Sequence, residues 1–336
     1  MRAWQIVSGG GVDALALNKL TPIEPGPGQV EIELRASSIN YRDLTIIEDP
    51  ISRKLALPTI PNSDGAGVIT RVGSEVHGFA VGDRVMSTFF AAWDAGPISA
   101  QAMASALGGA RQGVLAERFV LDTAGVIKTP AYMSDAQAAT LPCAALTAWH
   151  ALTQPRAVLA GETVLLLGTG GVSVFAQQFC QVMGARTIVT SSSDAKLERM
   201  RSLGADATIN YRSTPEWQQA VLDLTDGVGV DRVVEVGGPG TLQRSITSVR
   251  IGGTIALIGV LTDAGGAVIP TDIMRKSLTV RGVYVGPRQM FAEMNAALTQ
   301  HQIQPVIDAQ FDFDEAPQAY RTMRAAGHFG KLIITR

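Results

Sequence analysis

The sequence is poor in the features that mark secreted, membrane-bound or nucleic-acid-binding proteins. Among 336 residues there are only two cysteines, Cys143 and Cys180. They form no paired spacing, which argues against a disulfide framework and for a reducing, cytoplasmic setting. No stretch of about 18 uncharged apolar residues occurs, and the segment after Met1 lacks the apolar core of a signal peptide, so neither a membrane span nor secretion is expected. Charged residues make up 17% and the net charge is −2. Lysine and arginine are scattered, leaving no basic stripe for nucleic acid or acidic lipid. With 46% hydrophobic residues the chain can bury a large core, and its length suggests two domains. An enzyme or a small-molecule binder remains.

Glycine and proline divide the chain. Residues 1–124 carry short β-rich segments, among them QVEIELRASSIN, GAGVITRVG and DRVMST, separated by turns such as Pro25-Gly26-Pro27-Gly28. The alanine- and glycine-rich stretch 88–113 has no clear period and is long for a connection, so an irregular or functional loop is expected there. From 125 to 287 helical and strand-like segments alternate. Strands are expected at 163–167, 186–191, 206–210, 231–236, 254–260 and 278–284, with helices at 172–183 and 194–203. Near-continuous apolar runs such as TVLLLG and TIALIGV predict strands covered on both faces of a parallel sheet, an α/β domain. The tail, 288–336, adds two helices and two strands.

One segment carries chemistry on its face. In GETVLLLGTGGVSVFAQQFCQVMGA, Gly168, Gly170 and the small Ser173 stand at the three positions of the dinucleotide fingerprint, between a strand and a helix. Gly168 allows a sharp turn, Gly170 allows backbone to approach a pyrophosphate, and Ser173 allows close packing of helix on strand. The amides of Thr169, Gly171 and Val172 complete the turn, and the positive end of the helix dipole faces the phosphates.

The strand that follows ends in Ser191, Ser192 and Ser193, where an NAD enzyme usually offers an acidic residue to the ribose 2′-hydroxyl. Lys196 comes shortly after, and Tyr211-Arg212 closes the third strand. Hydroxyls and cations at these places suit a 2′-phosphate, which favours NADPH over NADH. Ser193-Asp194 reads as a helix N-cap rather than a ribose ligand.

The segments ASSINYRDL, PNSDGAGVITRVGSEVHGFAVGDRV, ATLPCAALTAWHAL, GTGGVS, INYR and GGTIALIGV, in this order and spacing, resemble the medium-chain dehydrogenase/reductase superfamily, specifically its zinc-free quinone-oxidoreductase-like branch. The resemblance implies a GroES-like β-barrel catalytic domain, 1–124 completed by 288–336, and a Rossmann domain of doubly wound parallel sheet, 125–287. It places the active site in the cleft between them and implies a homodimer built across the strand near 278–285. Zinc members of the superfamily have cysteine, histidine and cysteine where this chain has Asn40, Ser63 and Cys143. Only the last is a competent soft ligand, and catalytic zinc needs three protein ligands, so no metal site is expected.

By the same resemblance Asn40, Tyr41, Asp64 and Thr147 line the catalytic site. Asn40 and Tyr41 are expected on the loop after a strand, as hydrogen-bond donor and candidate proton source, and Arg42 with Asp43 as an ion pair holding that loop. Thr147, Gly259-Val260-Leu261 and Val283-Tyr284-Val285 are implied at the nicotinamide end, and Lys331 at the border of the cofactor. Tyr41 can equally be packing, and His150, at helical spacing from Thr147 and Cys143, reads as a packed helix residue. Without zinc, acceptors that delocalise charge suit the chemistry: quinones, or enones and enals taking hydride at the β-carbon. An alcohol dehydrogenase and a non-catalytic NADPH-binding protein stay open as alternatives.

Overall fold

The computed structural model describes all residues except 260 and 263–265. The chain forms two compact units: Met1–Leu146 with Val285–Arg336, and Thr147–Tyr284. The first runs beyond 124 because the strand Val126–Lys128 pairs with Arg84–Ser87 in the sheet of that unit.

The sheet of the first unit orders its strands as Ile307–Asp312, Lys331–Thr335, Gln29–Ile39, Asp64–Val72, Arg84–Ser87 and Val126–Lys128, with Arg118–Asp122 also pairing Gln29–Ile39. The C-terminal strand thus lies inside the N-terminal sheet, antiparallel to Gln29–Ile39 with Leu332 opposite Ile39. On the other side of Gln29–Ile39, Ser38 stands opposite Asp64. This register brings Lys331, Asn40 and Asp64 to the same end of three adjacent strands. Buried Ile32, Leu34, Ile39, Ile69, Leu332 and Ile334 join one apolar core, to which the helix Ala316–Arg324 adds Ala319 and Tyr320.

Asn40 and Tyr41 lie at a helix start rather than in a loop. Asn40 is the N-cap of the helix Tyr41–Glu48, whose Asp43 accepts the Asn40 N–H at 2.9 Å. Leu44, Ile46 and Ile47 then bury the apolar face. The stretch 88–113 is irregular but packed: Phe89, Phe90, Trp93, Ala106 and Leu107 are buried, and Phe90 bridges Ala106.

In the second unit six parallel strands are found among the described residues. Their spatial order is Ala207–Asn210, Arg186–Ser191, Thr163–Leu167, Val230–Glu235, Val249–Leu257 and Thr279–Gly282, so in chain order they stand third, second, first, fourth, fifth and sixth. The order reverses beside Thr163–Leu167, and the crevice at such a reversal is where α/β sheets bind nucleotides. All five residues of that strand are buried, as its unbroken apolar run predicts. The helix Gly171–Met183 follows and packs Val174, Phe175, Phe179 and Cys180 inward. It stops at Gly184, whose φ of +72° closes a left-handed cap. The strand Val249–Leu257 starts earlier than its apolar run suggests, because Val249 already pairs with Val230 ahead of a bulge.

Candidate functional site

Asn40, Asp64 and Lys331 form a buried polar cluster with Asp43, Ser63 and Cys143. Lys331 is 4% exposed, and its ammonium donates to the Ile39 carbonyl at 2.7 Å and to Asn40 Oδ1 at 2.5 Å. The Asn40 Nδ2 is buried and has no partner at hydrogen-bond distance. Asp64 is fully buried; one carboxylate oxygen accepts the Ser63 hydroxyl at 2.6 Å and the other the Cys143 backbone N–H at 3.1 Å. That N–H belongs to a single π-helical turn, Leu141–Ala145, leading into the helix Leu146–Thr153. Such turns open the hydrogen-bond ladder of a helix and free backbone groups for other partners.

Arg42 forms the expected ion pair with Asp43 at 3.1 Å, donates to the Leu107 carbonyl at 2.6 Å and lies over the Phe89 ring. Two carboxylates therefore share the cluster with two cations. Burial raises the Asp64 pKa to about 6, with Asp43 pushing the same way and the Lys331 ammonium opposing. Burial also raises Asp43 and lowers Lys331. The Cys143 thiol is pushed far up, chiefly by burial and then by the Asp64 charge.

This donor set does not fit zinc. Asn40 Oδ1 faces an ammonium and the Ser63 hydroxyl is bound to Asp64, which leaves Cys143 as the one soft ligand of the three positions, whereas catalytic zinc needs three protein ligands. The ammonium within the cluster repels a second cation. Among the described residues no group of three or more histidine, cysteine, aspartate or glutamate side chains is arranged to hold a metal ion.

The second unit carries the glycine turn. Gly168 has φ +75°, a conformation that side chains resist, and its N–H bonds the Thr190 carbonyl at 2.8 Å. A Cβ built on Gly168 or Gly170 meets no protein atom within 4 Å. Space above the turn is therefore open to a ligand. Gly170 caps the helix Gly171–Met183 without a side-chain acceptor, so its first amides, those of Gly171 and Val172, point outward unclaimed by a cap. Ser173 Oγ donates to the Leu167 carbonyl at 2.7 Å, which ties helix to strand as a small residue there allows. Thr169 is buried within the turn. These residues fit the pyrophosphate of a dinucleotide.

The ends of the next two strands are neighbours. Asn210 stands opposite Ser191, and the Tyr211 N–H bonds the Ser191 carbonyl at 3.0 Å. Ser191 is buried, Ser192 and Lys196 are half-buried, and Tyr211 and Arg212 are exposed. Ser193 is the N-cap of the helix Asp194–Ser202, as its sequence context predicts, and the Asp194 carboxylate accepts the Asn210 side-chain amide at 2.7 Å.

The positions implied at the nicotinamide end are spread more widely. Thr147 is 3% exposed in the first turn of Leu146–Thr153. Gly259 lies so close to the Val236 carbonyl that a Cβ would fall 2.0 Å from it. Leu261 is half exposed, and Val260 lies outside the described residues. Val283 and Val285 are buried with Tyr284 exposed between them. Val285 has φ +55°, an outlier for a β-branched residue. His150 is a packed helix residue whose Nε2 lies 2.8 Å from Arg281 Nη2.

Three further features were missed in the sequence. The Lys331 to Asn40 contact spans most of the chain. The Glu235 carboxylate, buried at the end of its strand, accepts the N–H groups of Gly237 and Gly238 and the hydroxyls of Thr241 and Ser245. The Arg232 guanidinium, 2% exposed, closes the end of Leu146–Thr153 by donating to the carbonyls of Ala151, Gln154 and Arg156. Only the acid and glycines of EVGG hinted at the second.

Comparison with known proteins follows the same division. The alcohol dehydrogenase GroES-like domain profile matches residues 26–131, and the zinc-binding dehydrogenase profile matches 171–300. A zinc-type alcohol dehydrogenase-like protein of Schizosaccharomyces pombe is 42% identical over 93% of this chain and 92% of its own. The 2-methylene-furan-3-one reductase of Solanum lycopersicum is 32% identical over 99% of this chain and 79% of its own. Among solved structures, a putative alcohol dehydrogenase from Sinorhizobium meliloti aligns over 100% of both chains at TM-score 0.90 and 38% identity. A quinone oxidoreductase of Pseudomonas syringae aligns over 100% of this chain and 99% of its own at TM-score 0.84 and 28% identity. The chain belongs to the medium-chain dehydrogenase/reductase superfamily and is an oxidoreductase of that type.

Proposed function

We propose that the protein is an NADPH-dependent reductase of quinones or activated alkenes, enones and enals, that works without zinc. The observation that carries this reading is the buried cluster of Lys331, Asn40 and Asp64, built around Asn40, Ser63 and Cys143, the positions at which the resemblance puts the ligands of zinc members. A bound dinucleotide would supply the hydride. The chain's part is to seat it on residues 168–172, to hold the 2′-phosphate with Ser191, Ser192, Lys196, Tyr211 and Arg212, and to receive charge on the acceptor oxygen. Thr147, Gly259, Leu261, Val283, Tyr284 and Val285 are proposed around the carboxamide. Similarity to the tomato 2-methylene-furan-3-one reductase and the Pseudomonas quinone oxidoreductase supports this acceptor class.

In an enone the hydride joins the β-carbon, the electron pair moves to the carbonyl oxygen, and a proton later joins the α-carbon. A neutral donor suffices because the charge is spread over the enolate, whereas a simple alkoxide needs stronger stabilisation. Asn40 Nδ2 is the proposed donor. Tyr41, 44% exposed, is offered as the proton source, and an unchanged turnover in Tyr41→Phe would pass that role to water.

The test is oxidation of NADPH, with NADH in parallel, against a panel of quinones, 2-alkenals and simple ketones. Reduction of ketones alone, together with stoichiometric zinc in the purified protein, would support the alcohol dehydrogenase reading that the names of its relatives invite. A dinucleotide that binds without any turnover would support the regulatory reading.

The free thiols of Cys143 and Cys180 support a cytoplasmic setting, and no described helix is long and apolar enough to cross a membrane. The homodimer is proposed across Thr279–Gly282, which ends the order of its sheet and so has one ladder edge to offer.

A further inference from the structure

The amide of Asn40 has a fixed orientation, for a reason that lies elsewhere in the chain. An ammonium has donors and no acceptor, so the group facing Lys331 Nζ at 2.5 Å must be the Asn40 oxygen. The flipped amide would set NH2 against NH3⁺. Lys331 is itself anchored: its Nζ donates to the Ile39 carbonyl at 2.7 Å, its side chain is 4% exposed, and its strand is registered against Gln29–Ile39. The opposite end of the amide, Nδ2, is buried with no partner at hydrogen-bond distance: it approaches the Asp64 carboxylate closely enough to ease that group's charge, yet without a hydrogen bond of normal geometry. Buried donors in folded proteins are nearly always paired, so an unpaired one whose direction is enforced calls for an acceptor from outside the chain.

We propose that Lys331 is a positioning residue that locks Asn40 as a hydrogen-bond donor, so that the site selects ligands presenting an acceptor oxygen, a carbonyl or quinone oxygen, and rejects those presenting only a donor. This rests on the proposed acceptor class and adds the residue that enforces it. Lys331 acts through Asn40 and does not touch the ligand. As charge grows on the ligand oxygen, the ammonium behind the amide oxygen polarises the N–H bond toward it.

A double-mutant cycle tests the proposal, with kcat/KM for cyclohex-2-enone and NADPH as readout. Asn40→Ala and Lys331→Met should each lower it by about a hundredfold, the cost of one lost donor at a developing oxyanion. The double variant should lose no more than either single one, because Lys331 has no task once the amide is gone. Additive losses, or an unchanged kcat/KM in Lys331→Met, would overturn the proposal. If Lys331→Met does not fold, Asn40→Asp keeps an ion pair with Lys331 yet has only acceptors, and it should lose activity as Asn40→Ala does; full activity there would also overturn it.

A second readout needs no turnover and separates failure of this inference from failure of the proposed function. In the free full-length protein labelled with nitrogen-15 at asparagine, the Asn40 side-chain resonances should move in Lys331→Met. If they do not move, the lock is absent even should the wild type reduce enones; if they move while no enone or quinone is reduced, the lock stands and the acceptor class is wrong.

Discussion

Asp64 accepts the backbone N–H of Cys143 at 3.1 Å, so the carboxylate at the start of one strand is bound to the π-helical turn that leads into Leu146–Thr153. The bond holds a carboxylate inside the protein beside the Cys143 thiol. Its burial there gives the cluster a pH dependence.

With its pKa raised to about 6 by burial, Asp64 binds its proton more tightly in the folded than in the unfolded chain. A raised carboxyl contributes stability that is present below the ordinary carboxylate range and lost as pH rises through about 6. Asp64→Asn should remove this slope. Unfolding free energies from denaturant titration at about pH 4.5 and about pH 7, either side of the titration, should therefore differ less in the variant than in the wild type, by an amount of order 1–3 kcal/mol. Equal differences would show that Asp64 titrates normally.

Gly170 separates ligand binding from folding. Its φ of −79° suits any residue, and an added Cβ meets nothing within 4 Å. Gly170→Ala should leave stability within about 0.5 kcal/mol of wild type. If a pyrophosphate approaches this backbone, the methyl group stands in its path and dinucleotide affinity should fall by about tenfold or more. Unchanged affinity in calorimetric titration would mean that no phosphate lies there.

Lys196 and Arg212 are the residues proposed to select between the two dinucleotides. Each flanks the paired strand ends at Ser191 and Asn210. Lys196→Ala should raise KM for NADPH by about tenfold, as for one charged hydrogen bond, and leave NADH almost unchanged. Steady-state kinetics with both cofactors measures this. A wild type that prefers NADH by a wide margin would remove the 2′-phosphate from this place.

Arg232 predicts stability rather than activity. Burial lowers its pKa to about 10, and it remains charged while serving three carbonyls at the end of a helix. Arg232→Ala should destabilise the protein by about 3 kcal/mol or more, because the buried Ala151 carbonyl and the part-buried carbonyls of Gln154 and Arg156 lose the guanidinium that serves them. Denaturant unfolding followed by circular dichroism would read the loss. A cost below about 1 kcal/mol would mean that water replaces the guanidinium.

Much of the fold could be read from the sequence, for physical reasons that are local. The run TVLLL is buried on both faces because a strand without polar alternation has no face for water, and GTGG follows it because only glycine accepts φ near +75° at a turn open above. The serine at position 193 caps its helix through the N–H of Lys196, three residues on, so the signal lies within one short segment. The helix at Tyr41 was hidden, since its N-cap depends on the side chain of Asp43 turning back to the Asn40 N–H and on a core waiting for Leu44 and Ile47.

The candidate site divides in the same way. The sequence by itself determined the glycine turn, the serine-rich strand end and the presence of an amide and a hydroxyl at Asn40 and Ser63, because each depends on the identity of residues within one segment. Only the tertiary structure decided that Lys331 faces Asn40, that Asp64 is sealed under the Cys143 turn and that Arg232 closes a distant helix. These contacts join residues far apart in the chain through strand register and burial, and neither quantity exists until the sheet has closed.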